Sequence, residues 1–401
     1  MKIEAPRYTL MFGAVQIHEV QRVYELDSGS KSITSEKNTE TVCNIGSDVM
    51  NDIEGRMAIV VLTKNESPRL LEGVISGVPH DCLIIVVSNS ERKPFDQYRN
   101  EMEMLKQFNQ FVNRKIILIH QRDPGLYTAF KEVGYTDILH GKKVRNGKGE
   151  GVLVGLILAK ITKKEYVGFV DADNYVPGAV NEYVKNFDTG FSLASSPYSM
   201  VRISWLYKPT VTENGFYFSK WGRVNEYTNK YLNRLISIRT GFGTEIIKTG
   251  NSSEYAISMK LAESLQFSSG SSIEPYSFLS VLENFGASFS IENKDFKSKG
   301  VQIFQVETRN PYFRVNKKDE HLGNMLLSSI ASIYHSNLCS DNLKKSMLNE
   351  LIELGLIMRG SKLPKPPIMR PIKNLDFKKF QEYLESHLKT LYITDESIFQ
   401  V

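Results

Sequence analysis

The stretch YVGFVDADNYVPG, residues 166–178, decides how the rest of the chain is read. An apolar run from Tyr166 to Val170 ends on two carboxylates one residue apart, Asp171 and Asp173. Like charges side by side need a reason. One is solvation at a strand end, before the turn signalled by Asn174 and Pro177; the other is a shared cation. In an extended segment alternate residues share a face, so the spacing predicts both carboxylates on one side, past the carboxyl end of a strand. Open α/β sheets bind their ligands at that edge. Two carboxylates and a diphosphate together suit a hard cation such as Mg2+ or Mn2+.

Working outward, MAIVVLT (57–63), LIIVVS (83–88) and KIILIH (115–120) repeat the pattern of short Val/Ile-rich runs. Continuous apolar runs of this kind predict strands buried on both faces. Between them, RNEMEMLKQFNQFVNR (99–114) sets Met102, Leu105, Phe108 and Val112 near helical spacing, and GEGVLVGLILAK (149–160) starts a helix just before the Asp run. Strand, helix, strand at these separations predicts an α/β fold with a doubly wound sheet. Residues 1–55 read as N-terminal strands and a polar linker, the linker falling at 28–42. Residues 56–190 read as the regular α/β half and 191–330 as the substrate half of an α/β enzyme, with a helix at 251–264. Residues 331–401 form a helical extension, with stripes at Leu343, Met347, Leu351 and Leu354 and at Phe377, Phe380, Leu384 and Leu388. The four prolines of GSKLPKPPIMRP (360–371) predict an extended linker between them. The last helix is expected to dock on the main body or on a second subunit.

A chain of 401 residues with 41% hydrophobic and 24% charged residues is an ordinary globular composition, large enough for a sizeable core. A net charge of +5 over that length argues for neither nucleic acid nor a membrane, but favours anionic substrates. Cys43, Cys82 and Cys339 are widely spaced and odd in number, which fits a reducing compartment and gives no zinc pattern. No apolar run reaches 18 residues, and MKIEAPRYTLMFG has no signal-peptide core; the expected address is the cytoplasm.

Other motifs have both a plain and a chemical reading. In RNGKGEG (145–151) glycines allow close backbone approach, a helix N-terminus favours an anion, and Lys148 adds a charge; the plain reading is a surface loop. P-loop spacing is absent. TKNES (63–67) sits where nucleotides bind a first strand, and Asn65 or Ser67 also suits a cap for a helix beginning at Pro68. KWGRVNEYTN (220–229) carries Arg223, a fork for carboxylate or phosphate. RTGFGTEIIKTG (239–250) carries Glu245 on a glycine-rich turn, suited to sugar hydroxyls or to a helix first turn. His120 ends an apolar run and reads as structural. His321, in a polar stretch, is either a surface residue or a third ligand for a divalent metal.

In their order, LTKNE, VVSNS, GKGEG, FVDAD, GRVNE, GFGTE and a late His resemble the GT-A glycosyltransferases. More closely, residues 56–325 resemble the mannosyl-3-phosphoglycerate synthases, and more distantly the glucosyl-3-phosphoglycerate synthases. The resemblance implies a GT-A-like mixed sheet and retaining transfer of mannose from GDP-mannose to 3-phosphoglycerate, a step toward the compatible solute mannosylglycerate. It implies that Leu62, Thr63, Lys64, Glu66 and Ser88 line the base and ribose pocket and that Lys148, Asp171, Ala172 and Asp173 contact the nucleotide. Asp173 and His321 would bind Mg2+, Mn2+ or another divalent cation. Glu245 would hold sugar hydroxyls, and Gly222, Arg223 and Asn225 the acceptor; position 225 is Asn where glucosyl relatives show Thr. Asp171, Asp173, Glu245 and Arg223 form the implied catalytic set, in a chain that pairs as a homodimer or stands alone. No carboxylate reads as a covalent nucleophile, which leads to internal return on one face of the sugar. Rival readings are a UDP-glucose-dependent transferase, a nucleotidyltransferase, whose Lys loop would follow the first strand, and a non-catalytic sugar-nucleotide binder.

Overall fold

The computed structural model describes residues 1–26, 41–174, 176–206, 208–212, 215–219, 223–286, 294–310 and 319–399. The polar linker expected at 28–42 lies almost wholly outside them. Ten strands make the main sheet: β1 (Thr9–Phe12), β2 (Val15–Gln21), β3 (Met57–Thr63), β4 (Leu83–Ser88), β5 (Ile116–His120), β6 (Tyr166–Asp171), β7 (Ser199–Trp205), β8 (Tyr255–Ser258), β9 (Val301–Thr308) and β10 (Tyr392–Ile393). Their order is β10-β5-β4-β3-β6-β8-β7-β9-β2-β1. Strands β5, β4, β3 and β6 are parallel, as are β7, β9 and β2. Strand β8 runs antiparallel between β6 and β7. This is the doubly wound mixed sheet expected from the sequence, and every one of the four sequence segments contributes strands to it.

The principal helices are α1 (Ser47–Gly55), α2 (Pro68–Gly77), α3 (Gln97–Val112), α4 (Pro124–Glu132), α5 (Lys148–Ile161), α6 (Pro177–Leu193), α7 (Arg223–Thr240), α8 (Ile273–Val281), α9 (Asp319–Tyr334), α10 (Asp341–Glu353) and α11 (Phe377–His387). Within β3, Met57, Ile59 and Val61 join the core shared with α1, α2, α3 and α6. Ala58 and Val60 join the core shared with α4, α5 and α7 to α11. Helices therefore cover both faces, which is why these strands carry no polar alternation.

Two expectations are corrected. The helix expected at 251–264 is strand β8 followed by a single turn, Met259–Ala262. Tyr255 and Ile257 bury toward one core and Ala256 toward the other, an alternation only a strand provides. Burying an apolar side chain is worth about 1.5–3 kcal/mol, more than the helix propensity of the flanking residues. The proline-rich 360–371 is extended as expected, yet it is a docked strap. Ile368–Met369 pairs with Phe267–Ser268, Ser269 N donates to Pro367 O at 2.9 Å, and Leu363 and Met369 are buried. Leu363, just before the first proline, and Met369, before the last, hold it down. Helix α11 then docks on α4 of the same chain, where Phe130 and Phe380 meet edge to face at 4.9 Å. In α10, Leu343, Met347 and Leu351 are buried, whereas Leu354, just past the helix end, is exposed.

Candidate active site

Strand β6 stops at Asp171, and Ala172 and Asp173 form a turn. The extended alternation expected to carry both carboxylates thus ends one residue early. Ala172 N donates to Leu62 O at 3.1 Å, pinning this turn to the end of β3. Asp173 is buried and Asp171 half-buried.

Asp171 lies in register with Val167 and Phe169, on the face that α5 covers. Helix α5 can approach closely because its glycines lack a Cβ. A Cβ on Gly149 would stand 1.9 Å from Ser268 O, and one on Gly155 would stand 2.4 Å from Val60 Cγ1. Glu150, fully buried, accepts from Ser269 Oγ at 2.5 Å and Gly270 N at 3.2 Å, locking the first turn. Lys148 is thereby delivered to the strand end. Its Nζ donates to Asp171 Oδ2 at 2.7 Å and to Glu274 Oε1 at 2.7 Å. Burial works against the ammonium, but the charges of Asp171 and then Glu274 outweigh it and hold Lys148 above the ordinary lysine range. It stays charged.

Glu274, on α8, links this point to helices α7 and α9. Its Oε2 accepts from Asn251 Nδ2 at 2.5 Å. Asn251 Oδ1 accepts from Ser329 Oγ of α9 at 2.9 Å, and Asn251 N donates to Asn225 Oδ1 of α7 at 2.7 Å. Asn225 is the first rung of a ladder at helical spacing. Asn229 accepts from Gly250 N at 2.7 Å and donates to Lys248 O at 3.0 Å. Asn233 accepts from Ile247 N and donates to Ile247 O, both at 2.9 Å. Three asparagines thus satisfy the backbone of an irregular segment, 247–251, that has no sheet partner to do so.

At the ends of β3 and β4, Thr63 and Ser88 serve a group that sequence reasoning missed. Thr63 Oγ1 donates to Glu101 Oε1 at 3.3 Å and Ser90 Oγ donates to the same oxygen at 2.5 Å, with the Ser88 hydroxyl also beside this carboxylate. Burial raises the Glu101 carboxyl above its usual range despite these hydroxyls. Lys64 is exposed and Glu66 half-buried. Ser67 caps α2 through Leu70 N at 3.3 Å, while Asn65 takes a left-handed φ of 59° and accepts from Glu91 N. His120 is structural, as expected: its Nε2 contacts Ser90 O at 3.0 Å, and burial lowers its pKa.

Glu245 is not brought to this cluster. The turn after Gly241 (φ 76°) lifts it to the surface, where its side chain is 86% exposed and pairs with Lys248 at 3.1 Å. Gly222 lies outside the described residues. Arg223 begins α7 and His321 lies in the first turn of α9, and their side chains are outside the description. Among the described residues no three metal-binding side chains gather. Asp171 and Asp173 supply two carboxylates of the hard-oxygen type that Mg2+ or Mn2+ prefers, and Asp171 already attracts one cation, Lys148.

The family model for mannosyl-3-phosphoglycerate synthase matches residues 5–384. The chain belongs to the mannosyl-3-phosphoglycerate synthase family. The mannosyl-3-phosphoglycerate synthase of Pyrococcus furiosus is 49% identical over 393 residues, 98% of this chain and 99% of that one. That of Aeropyrum pernix is 34% identical over 393 residues, with the same coverage. The solved glucosyl-3-phosphoglycerate synthase of Mycobacterium tuberculosis, in complex with Mn2+, UDP and glucosyl-3-phosphoglycerate, aligns over 85% of this chain and 98% of its own. Its identity is 19% and its TM-score 0.47. As a member of the mannosyl-3-phosphoglycerate synthase family the chain is an enzyme, a hexosyltransferase. No helix among the described residues is long and apolar enough to cross a membrane. Glu274 escaped sequence reasoning because its segment carries no periodic signal, and Asn251 because its segment reads as the start of a helix. Asn229 and Asn233 were missed as well, although their 225/229/233 spacing is a helical polar stripe that could have found them.

Proposed function

We propose that this chain transfers mannose from GDP-mannose to 3-phosphoglycerate in the cytoplasm, giving mannosyl-3-phosphoglycerate. The observation that carries the reading is the Asp171–Lys148 pair at the carboxyl end of β6, in a chain 49% identical to a mannosyl-3-phosphoglycerate synthase over nearly its whole length. The nucleotide would sit over the ends of β3 and β4, along Leu62 to Glu66 and Ser88. Helix α5 follows Gly147 at its N-cap without a side-chain cap, which suits a diphosphate, and Lys148 adds its charge there. Gly222, Arg223 and Asn225 would take the acceptor. Asn225 Oδ1 is engaged by Asn251, so its donating Nδ2 is the part that suits an anion.

Asp171, Asp173 and His321 would hold the divalent cation, which supplies charge neutralisation for the leaving diphosphate. In the transfer the anomeric C–O bond to the diphosphate breaks and a bond to the acceptor hydroxyl oxygen forms on the same face. The hydroxyl proton passes to a leaving diphosphate oxygen. Lys148 and the amides at the start of α5 meet the charge that develops on that diphosphate. Lodging both substrates against Asn225 and Lys148 orients them for in-place exchange.

The test is nucleoside diphosphate release from GDP-mannose and, in parallel, UDP-glucose, with 3-phosphoglycerate and Mg2+. GDP release that requires the acceptor and stops with EDTA is expected. Release from UDP-glucose alone would replace the donor, and silence with both would refute the reading. A glycosyl–enzyme adduct in the mass spectrum would replace internal return with a covalent route.

A further inference from the structure

We propose that Glu274 is a positioning residue for the transfer: it holds Lys148 in the donor site and ties it to the two helices that carry the acceptor side. The inference rests on the reading above. The Lys148 ammonium has three N–H donors. One goes to Asp171 and one to Glu274, which leaves a third to meet an anionic oxygen. The two carboxylates are unequal. The Asp171 side chain is 19% exposed, at the rim where the donor would arrive, and that of Glu274 is 4% exposed. When Asp171 turns to the incoming nucleotide, Glu274 remains as the fixed anchor.

Glu274 is itself held on all sides. Asn251 Nδ2 donates to its second oxygen, and Arg202, fully buried, donates to its backbone oxygen at 3.1 Å and to Ser277 Oγ at 2.8 Å. Asn251 is in turn fixed by Ser329 on α9 and by Asn225 on α7. The path Asp171–Lys148–Glu274–Asn251 therefore ends on the helix that begins at Arg223 and on the helix that contains His321. Lys148 sits where it does because of residues more than a hundred positions away in sequence.

The test is a double-mutant cycle of Glu274→Gln and Lys148→Met. Gln keeps the size of Glu274 and one acceptor for Asn251, but turns a donating amide toward Lys148 or removes its charge. Two quantities are read in the full-length protein: GDP affinity by calorimetry in EDTA, and KM and kcat for GDP-mannose and 3-phosphoglycerate with Mg2+. Loss of one charge-assisted hydrogen bond corresponds to about a tenfold change. Glu274→Gln alone is expected to weaken GDP binding and raise KM for GDP-mannose about tenfold, with KM for 3-phosphoglycerate within about twofold. In the Lys148→Met background the same substitution should change GDP affinity by less than about twofold, because there is no ammonium left to position. Equal losses in both backgrounds would mean a merely structural role and would overturn the proposal. Wild-type protein that neither binds GDP nor releases it would overturn the functional reading itself, and the proposal with it. Should Glu274→Gln not fold, Ser329→Ala, which loosens Asn251 from behind, is read by the same cycle and the same criteria.

Discussion

Replacing Asn229 by Ala removes the middle rung between α7 and the segment 247–251. Two hydrogen bonds go, from Gly250 N at 2.7 Å and to Lys248 O at 3.0 Å. The net worth of each is about 1 kcal/mol, and leaving a buried backbone group unsatisfied costs about 1–3 kcal/mol. Gly250 is buried and Lys248 half-buried, so the expected local cost is about 2–4 kcal/mol, toward the low end if water reaches Lys248 O. The rungs at Asn225 and Asn233 stay, so the loss should be confined to the segment. Amide exchange reads such local opening directly, and 2 kcal/mol is roughly 30-fold in the opening constant. Mass-spectrometric exchange of peptides covering 247–251 should accelerate at least about 30-fold, with β3 and β6 unchanged. Asn229→Asp keeps the acceptor for Gly250 N but faces Lys248 O with a second acceptor, so it should resemble Ala. Exchange within about threefold of wild type in both variants would refute the view that the ladder, rather than general packing, secures Asn251.

Asp173→Ala should reduce GDP release from GDP-mannose by at least about a thousandfold while melting stays close to wild type; activity within tenfold would remove Asp173 from the site. Glu245→Ala should leave both stability and kcat/KM within about threefold, since an exposed pair with Lys248 is worth less than about 1 kcal/mol. A larger loss of kcat/KM without loss of stability would return Glu245 to the sugar site. Asp188 on α6 and Glu54 on α1 form a buried carboxyl pair, both raised above the usual range, Asp188 by burial and then by the charge of Glu54. A raised folded-state pKa stabilises the protonated form, so this contribution is present at acidic pH and lost as pH climbs through the raised values. Asp188→Asn should therefore melt progressively higher than wild type as pH rises from 5 to 9, and a difference that shrinks over that range would contradict the assignment.

Much of this molecule was legible residue by residue. Val/Ile runs bounded by turn residues gave β3 to β6 because a strand buried on both faces has only one sequence solution, an unbroken apolar run. The glycines and Lys148 at the start of α5 marked a helix N-terminus suited to an anion, and DAD marked a strand end. The tail stripes around Met347 and Phe380 placed two helices. Those signals are local: each is a periodicity or a backbone requirement carried by neighbours in the chain. The rest depended on partners far apart in sequence. Tyr255 to Ser258 became a strand because two cores competed for alternate side chains, and the proline strap docked because a short strand waited at Phe267. Glu274, in a segment without pattern, reached Lys148 across 126 positions, and Asn251 found Glu274, Asn225 and Ser329 at once. A buried charge has to be matched by an opposite one, but nothing in a linear sequence says which. That choice is made where the helices cross over the end of β6.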